Sequence, residues 1–532
     1  MVVVRRRSAL AGARKAAGHT QESLAAALHI DRSTVIRWEA GEHAPLPYLR
    51  PGLARLLGQS QEQLRALIED DSETRLLAEG MPVDVGVACD WLDQQAGWSP
   101  GTSRRKVMSR LGVLDERELH DRNGRRAKVG RSEVAHALLR YYEDVDVQGL
   151  SVYRACCDGR DVLTSIVSRT EWSVMACPLA SGQDRLTLES STPANSIEIE
   201  GVTAQHAVRR LVEIVALDVR LTNAPIYRLL GLDAQQGSIG GTVGLTSFVE
   251  YALTMDLLEG ELLDAIVDDV APRPGALPLR DRYLPDLDAL LDMSGRLCAG
   301  GVVALCAIAR PADSYRGRAD YVLLVQERSE HVLNAAGQLA VIPKGFHKPL
   351  ADYRCDAQVG VTLRREMEKE LFGRSDVDST VSPHIIAAPM HPSRLSEPMR
   401  WLTTVPGALR MECTGFGLNL VSGNYEFASL VVIDDEEFWG RYGGHIEANW
   451  ESAGLRLYSS LDRELLAGLI DDERWSNEGL FALLLGLRRL GELGGRRVNL
   501  PDIVSGFDAN YSGFEEGQRT VMTTESSFAS QE

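Results

Sequence analysis

Over residues 1–75 the apolar positions fall in short Ala- and Leu-rich runs at helical spacing, with none of the alternation a strand needs. This predicts four or five short helices. The first is Ser8–Ala17, stopped by Gly18. The second is Gln21–Leu28, capped by Thr20. The third is Arg32–Ala40, capped by Asp31 and stopped by Gly41. Helices at Leu49–Leu57 and Gln61–Ile68 follow a loop bracketed by Pro45 and Pro47. The pattern then changes. Residues 76–100 carry turn signals, and residues 100–140 are polar and basic. From 145 to 270, short β-like runs (Val162–Val167, Ser196–Ile199) alternate with helical ones (Ala204–Val215, Leu245–Leu258). The Pro-rich stretch from Ala271 to Pro278 reads as a linker. Strong strand runs recur at Gly301–Ile308, Tyr321–Val325 and Leu430–Ile433, and an amphipathic helix is predicted at Glu478–Leu493.

The expected organisation is multidomain. An all-α domain covers 1–75, a helical basic linker region 76–144 and a mixed α/β middle region 145–270. A linker at 271–294 leads to an α+β domain at 295–495. The tail, 506–532, is rich in Ser, Thr, Glu and Gly and is expected to be disordered.

Charge sharpens this division. The chain of 532 residues has a formal net charge of −18, from 57 Lys and Arg against 75 Asp and Glu. Taken whole, that argues against a uniformly basic nucleic-acid binder. Residues 1–60, however, hold nine basic and four acidic side chains, a charge of +5 that leaves −23 on the rest. A basic interaction module joined to an acidic body is the simplest reading. No apolar run is long enough to span a membrane, and the N-terminus lacks the apolar core of a signal peptide. The eight cysteines form no Cys-x-x-Cys pair and lie at no zinc-finger spacing. Reduced core thiols and a cytoplasmic location are expected.

Two short helices separated by three residues are the helix-turn-helix arrangement, whose second helix enters the major groove. The residues that carry it are Thr20-Gln21-Glu22-Ser23-Leu24-Ala25 and Asp31-Arg32-Ser33-Thr34-Val35-Ile36-Arg37-Trp38-Glu39-Ala40-Gly41. They resemble the lambda-repressor-like (XRE) helix-turn-helix family over about 60 residues. The resemblance implies double-stranded DNA as partner, with Gln21, Arg32, Ser33, Thr34 and Arg37 facing it. It implies a core of Leu24, Ala25, Leu28, Ile30, Val35, Ile36 and Trp38, and an internal ion pair between Arg14 and Glu39. Arg5-Arg6-Arg7 reads equally well as an arm onto the DNA backbone or as a solubilising terminus. Ten basic residues between Arg104 and Arg131 form either a second phosphate-contacting surface or a patch paired with the acidic body, and the second reading is favoured.

Further on, Leu339 to His347 is a strand followed by Pro343-Lys344-Gly345, and Leu363 to Gly373 is a helix carrying Arg365, Glu366 and Glu370. Glu366 and Glu370 are four apart and share a helix face. Paired carboxylates there suit Mg²⁺ held against a phosphate. The order of strand, Pro-x-Gly and Arg-Glu-x-x-x-Glu helix resembles the Nudix fold, making 295–495 a Nudix-like domain. Its departures from the family box are specific. Gly345 and Arg365 are 20 positions apart where the box has 14, no Glu lies between them, and Lys369 replaces a Glu. A Lys at a divalent-metal site opposes the metal. The resemblance therefore implies a sensor of a nucleotide-like or phosphorylated ligand, held by Lys344, His347, Arg365 and Lys369. The alternative is a Mg²⁺-dependent Nudix-type hydrolase of nucleoside diphosphate derivatives using Glu366 and Glu370 as metal ligands. The function expected overall is a sequence-specific, DNA-binding transcription regulator acting as a homodimer, with no membrane partner.

Overall fold

The computed structural model describes residues 8–28, 30–39, 45, 49–59, 64, 81–143, 149–179, 182–189, 199–314, 317–329, 336–374, 389–443, 446 and 452–508. Arg5-Arg6-Arg7, Gly41, most of the helix expected at 61–68, the strand expected around 196–198 and the tail beyond 508 lie outside the described residues. The chain divides into two units, Met1–Gly86 and Val87–Glu532.

In the first unit the helices begin and end where local chemistry dictates. They are α1 (Ser8–Ala16), α2 (Gln21–Ala27), α3 (Arg32–Glu39) and α4 (Arg50–Leu56). Gly18, at φ +77°, turns the chain after α1 at no steric cost. Thr20 caps α2: its hydroxyl accepts the Ser23 N–H at 3.0 Å, and the Ser23 hydroxyl accepts the Thr20 N–H at 2.9 Å. Leu10, Leu24, Ala25, Val35, Trp38, Leu53 and Leu57 close a small core, with Leu28 and Ile30 packed at its edge. Each large aliphatic side chain buried there contributes about 1.5–3 kcal/mol. One core expectation is corrected: Ile36 is 41% exposed.

The second unit opens with helices. α5 (Val83–Gln95) runs across the boundary, and α6 (Thr102–Leu111), α7 (Glu116–Arg126) and α8 (Arg131–Tyr142) follow. The expected linker region at 76–144 is thus helical but belongs, from Val87, to the larger unit. The strands are β1 (Leu150–Cys157), β2 (Arg160–Arg169), β3 (Cys177–Pro178), β4 (Asp184–Leu188), β5 (Pro225–Gln235), β6 (Ser238–Ser247), β7 (Gly300–Arg310), β8 (Asp320–Arg328), β9 (Leu339–Val341), β10 (Lys344–Phe346), β11 (Leu409–Asn419), β12 (Tyr425–Ile433), β13 (Ser452–Ser459) and β14 (Ile503–Ser505). Long helices among them are α9 (Gly201–Ala216), α10 (Leu257–Val267), α11 (Val359–Glu370) and α12 (Asn477–Leu493).

The main sheet runs β13-β8-β7-β12-β11-β2-β1-β14, with β10 and β3 on β7 and β11 and β9 on β8. Here the expected division fails. β1 and β2, from the 145–270 region, continue the same sheet as the strands of 295–495: Leu418 of β11 lies opposite Val167 of β2. The 271–294 segment separates no sheets and holds two short helices, Pro278–Tyr283 and Leu287–Leu291. At the centre, β7 runs parallel to β12 and is buried from Gly300 to Ala309. A strand covered on both faces reads as one apolar run, which is why its sequence shows no alternation. The apolar side of α12 packs on the sheet through Leu480, Phe481, Leu484 and Leu487. Gly486 allows the approach, since a Cβ there would lie 2.8 Å from the Leu305 Cβ.

A second sheet, β4-β6-β5, is tied to the main one. The Leu229 N–H donates to the Cys298 carbonyl at 2.8 Å, and Tyr227 N–H to the His347 carbonyl at 2.9 Å. No helix among the described residues is long and apolar enough to cross a membrane.

Candidate nucleic-acid interface and the buried charges of the body

α3 has two unlike faces. Val35 and Trp38 point into the core, while Arg32, Ser33, Ile36 and Arg37 are exposed. Positions i, i+1, i+4 and i+5 lie on one side of a helix. Three of the expected DNA-facing residues therefore share a surface, and Ile36 joins them. Thr34 is half-buried on the flank. Arg32 lies 2.7 Å from Glu22 of α2, but both side chains are more than half exposed, so the pair is weak and easily exchanged. Gln21 is half-buried, and its amide donates to Glu39 at 2.7 Å. The expected ion pair is present: Arg14 Nε lies 2.6 Å from Glu39 Oε1, and Arg14 Nη1 donates to the His19 carbonyl at 2.8 Å.

Ile36 was missed as a surface residue because hydrophobicity alone assigned it to the core. Its spacing from Arg32 and Ser33 is the signal that separates it from Val35 and Trp38.

The basic stretch splits in two. On α7, Arg122 and Arg126 reach Asp264 of α10 at 2.6 Å each, and Arg122 also reaches Glu213 of α9 at 2.9 Å. These pairs take up part of the positive charge internally. On α6, Arg104, Arg105, Lys106 and Arg110 are exposed.

In the body, four of the residues expected around a ligand or metal meet along α11 and β10. Glu366 is buried between Arg365 Nε at 3.3 Å and Lys369 Nζ at 3.2 Å. Burial alone would raise its pKa, but Lys369, Arg365 and Lys348 outweigh it and hold the carboxyl down at about 2. Gly345 fits because it lacks a side chain: a Cβ there would lie 2.5 Å from the Glu366 Cδ. The Lys344 N–H donates to Glu370 Oε2 at 2.6 Å, and its ammonium lies 2.5 Å from Glu478 at the start of α12. Glu426 of β12 is buried beside Glu478, and burial first and Glu478 second push it well above the usual carboxylate range. Burial and then Asp256 raise Glu259 of α10 to about 7. Asp256 itself lies 2.7 Å from Arg210.

His347 has different partners. It is fully buried, its Nδ1 is 2.9 Å from the Tyr425 hydroxyl and its ring is 4.5 Å from that of Tyr227. Burial, aided by Arg365, lowers its pKa to about 3, so the ring is neutral at physiological pH.

The arrangement is a buried ionic network in which cations and carboxylates neutralise one another. Among the described residues no three His, Cys, Asp or Glu side chains converge to hold a metal ion. With Glu366 committed to two cations, the expected pair Glu366 and Glu370 does not fit Mg²⁺. Glu426 and Glu478 were not singled out from sequence. The available signal was a lone acid at the start of the otherwise apolar Tyr425–Ile433 run.

A helix-turn-helix family model matches residues 10–47, the stretch that holds α1 to α3. A search of curated proteins finds no match to the chain. The N-terminal segment is thus a helix-turn-helix of the kind found in DNA-binding regulators, on a large mixed α/β body.

Proposed function

We propose that this chain is a sequence-specific DNA-binding transcription regulator that reads duplex DNA through the outward face of α3. The observation that carries this is the placement of Arg32, Ser33, Ile36 and Arg37 on one exposed side of a helix whose other side is core. Arg reaches guanine edges and phosphates, Ser reaches either, and an apolar side chain suits the thymine methyl. One such unit makes few base contacts, so a homodimer reading two half-sites about one helical turn apart is the working form. The test is selection of preferred sequences from random duplexes by the full chain. Arg37→Ala should weaken binding and relax the preference at one position; a preference identical to wild type would refute the assignment.

In this reading the body is the sensor of a nucleotide-like or phosphorylated ligand. Lys344, Arg365 and Lys369 lie on one network, and a phosphate competing for them would release Glu478 and Glu366. The commitment of Glu366 to cations favours a sensor over a Mg²⁺-dependent hydrolase. Thermal unfolding with a panel of nucleoside diphosphate compounds separates the two. A raised midpoint without turnover supports the sensor. Turnover that Glu370→Gln abolishes would establish the hydrolase.

A further inference from the structure

The second unit carries a basic surface of its own. α6 has the sequence Thr-Ser-Arg-Arg-Lys-Val-Met-Ser-Arg-Leu and no acidic residue. Its inner side is fixed: Ser103 and Val107 are buried. The Ser103 N–H and hydroxyl both donate to Asp93 Oδ1 of α5, at 2.7 and 2.6 Å. The remaining positions that follow helical spacing outward are Arg105, Lys106, Ser109 and Arg110, all exposed. Their cationic heads are steadied from within the unit. Arg105 Nη2 donates to the Thr102 hydroxyl at 3.0 Å, Lys106 sits 4.7 Å over the Trp98 ring, and Arg110 Nη1 donates to the Gln205 carbonyl at 3.3 Å. The nearest printed acid is Asp90, 3.7 Å from the flanking Arg104, and that pair is exposed.

Two features set this surface apart from an ordinary solvated face. First, residues 61–532 carry a net charge of −23, yet the body's acids are spent on α7 and not on α6: Arg122 and Arg126 pair with Asp264 and Glu213. Second, Arg104 and Arg105 stand in the first turn of α6. Cations there oppose the helix dipole and cost a few tenths of a kcal/mol each. A uniformly cationic, pre-ordered face on an acidic body is complementary to a phosphate backbone.

We infer that α6 is a second DNA-binding surface, a sequence-independent clamp in which Arg105, Lys106 and Arg110 hold backbone phosphates while α3 reads bases. This rests on the DNA-binding reading above. The clamp supplies affinity and its salt dependence and carries no base preference, because phosphates carry no sequence information. The acidic remainder of the body repels DNA elsewhere, which confines contact to these two helices.

The experiment uses the full chain and a duplex of about three helical turns, carrying the sequence the wild type selects. Dissociation constants are measured over a salt series for wild type and for the triple variant Arg105→Gln, Lys106→Gln, Arg110→Gln. Gln keeps helix propensity, and an unchanged thermal midpoint shows that the variant is folded. The expected result is a fall of roughly 2.7 in the slope of log K against log salt, at about 0.9 for each phosphate contact. The selected sequence should stay the same. An unchanged slope with an intact preference overturns the clamp alone, and that is the result if α6 serves an acidic protein instead. A wild type that selects no duplex overturns the DNA-binding reading and the clamp with it.

Discussion

Arg14 of α1 and Glu39 of α3 form a two-point ion pair inside the N-terminal unit: Nε to Oε1 at 2.6 Å and Nη2 to Oε2 at 3.4 Å. Gln21 of α2 donates to the same carboxylate, so three helices meet on one acidic group. The side chains are only 8% and 11% exposed, which leaves either charge uncompensated if the other is removed. Arg14→Ala should destabilise this unit by about 2–4 kcal/mol. The double variant Arg14→Ala, Glu39→Ala should cost clearly less than the two single changes added together. Hydrogen exchange of the α1–α3 amides in the full chain measures this. Additive losses would show that the pair contributes nothing as a pair.

Ile36 gives a cleaner test of recognition than its charged neighbours, because it has no long-range field. Being 41% exposed on α3, it adds little to the core. Ile36→Ala should leave unfolding within about 0.5 kcal/mol of wild type. Affinity for the selected duplex should fall by about 1–3 kcal/mol, with preference lost at one base pair and no change in salt slope. A fall in stability with DNA binding intact would place Ile36 back in the core.

The carboxylate of Asp184 on β4 accepts the Gly360 N–H at 2.9 Å and so joins the small sheet to the start of α11. Burial raises its pKa from 3.8 to about 6, against the lowering effect of that and other backbone N–H groups. The folded state thus holds a proton that the unfolded chain has already released. Stability from this group is full below about pH 4 and falls as pH rises to 6, by about 3 kcal/mol at most. Asp184→Asn keeps the acceptor and removes the charge. Its unfolding midpoint should match wild type near pH 4 and exceed it at pH 8. Equal gaps at the two pH values would show that the site is not charged when folded.

His347 works in the opposite direction. Its folded pKa of about 3 lies far below the usual 6.5, because burial excludes the imidazolium. The unfolded chain therefore binds a proton first as pH falls. Stability from the neutral ring is full above pH 6.5 and is lost on acidification, with a slope approaching about 1.4 kcal/mol per pH unit. His347→Gln should lower stability at pH 8 and also flatten the decline between pH 6 and pH 4. A wild-type slope in the variant would assign that decline to other groups.

These sites differ in how far the sequence alone exposes them, for physical reasons. Helix starts and stops are local: Thr20 and Gly18 mark α1 and α2 within a turn because caps bond within three or four residues. The Asp158-Gly159 turn between β1 and β2 is likewise local, with φ of +48° and +82°. Sheet partnership is not. Val167 meets Leu418 across some 250 residues through shape complementarity that no short window contains. The basic stretch shows the same limit: Arg122 could be seen as a charge, but Asp264, 142 residues later, decides that it is paired. The chemistry of α11 was visible as Arg365, Glu366, Lys369 and Glu370. Its neutralisation depends on Lys344 and Glu478, which approach only when β10 and α12 pack around the sheet.

The pairing of Lys344 with Glu478 makes the strongest demand on the network. Both side chains are largely buried, and Glu426 and Glu259 add negative charge beside them. Lys344→Met removes the ammonium but keeps the main-chain N–H that Glu370 accepts, so β10 should hold its place. Glu478 is then left facing two other acids with its counter-charge gone. The expected loss is about 3–5 kcal/mol, the usual cost of breaking a buried pair from one side. Neutralising the orphan should reverse most of it. In the double variant Lys344→Met, Glu478→Gln no charge is stranded, and a buried ion pair is worth little against a neutral pair of similar shape. Denaturant midpoints of the wild type, both single variants and the double variant give the coupling directly. If the double variant is as unstable as Lys344→Met, packing around the Lys344 stem, and not its charge, holds α12 to the sheet.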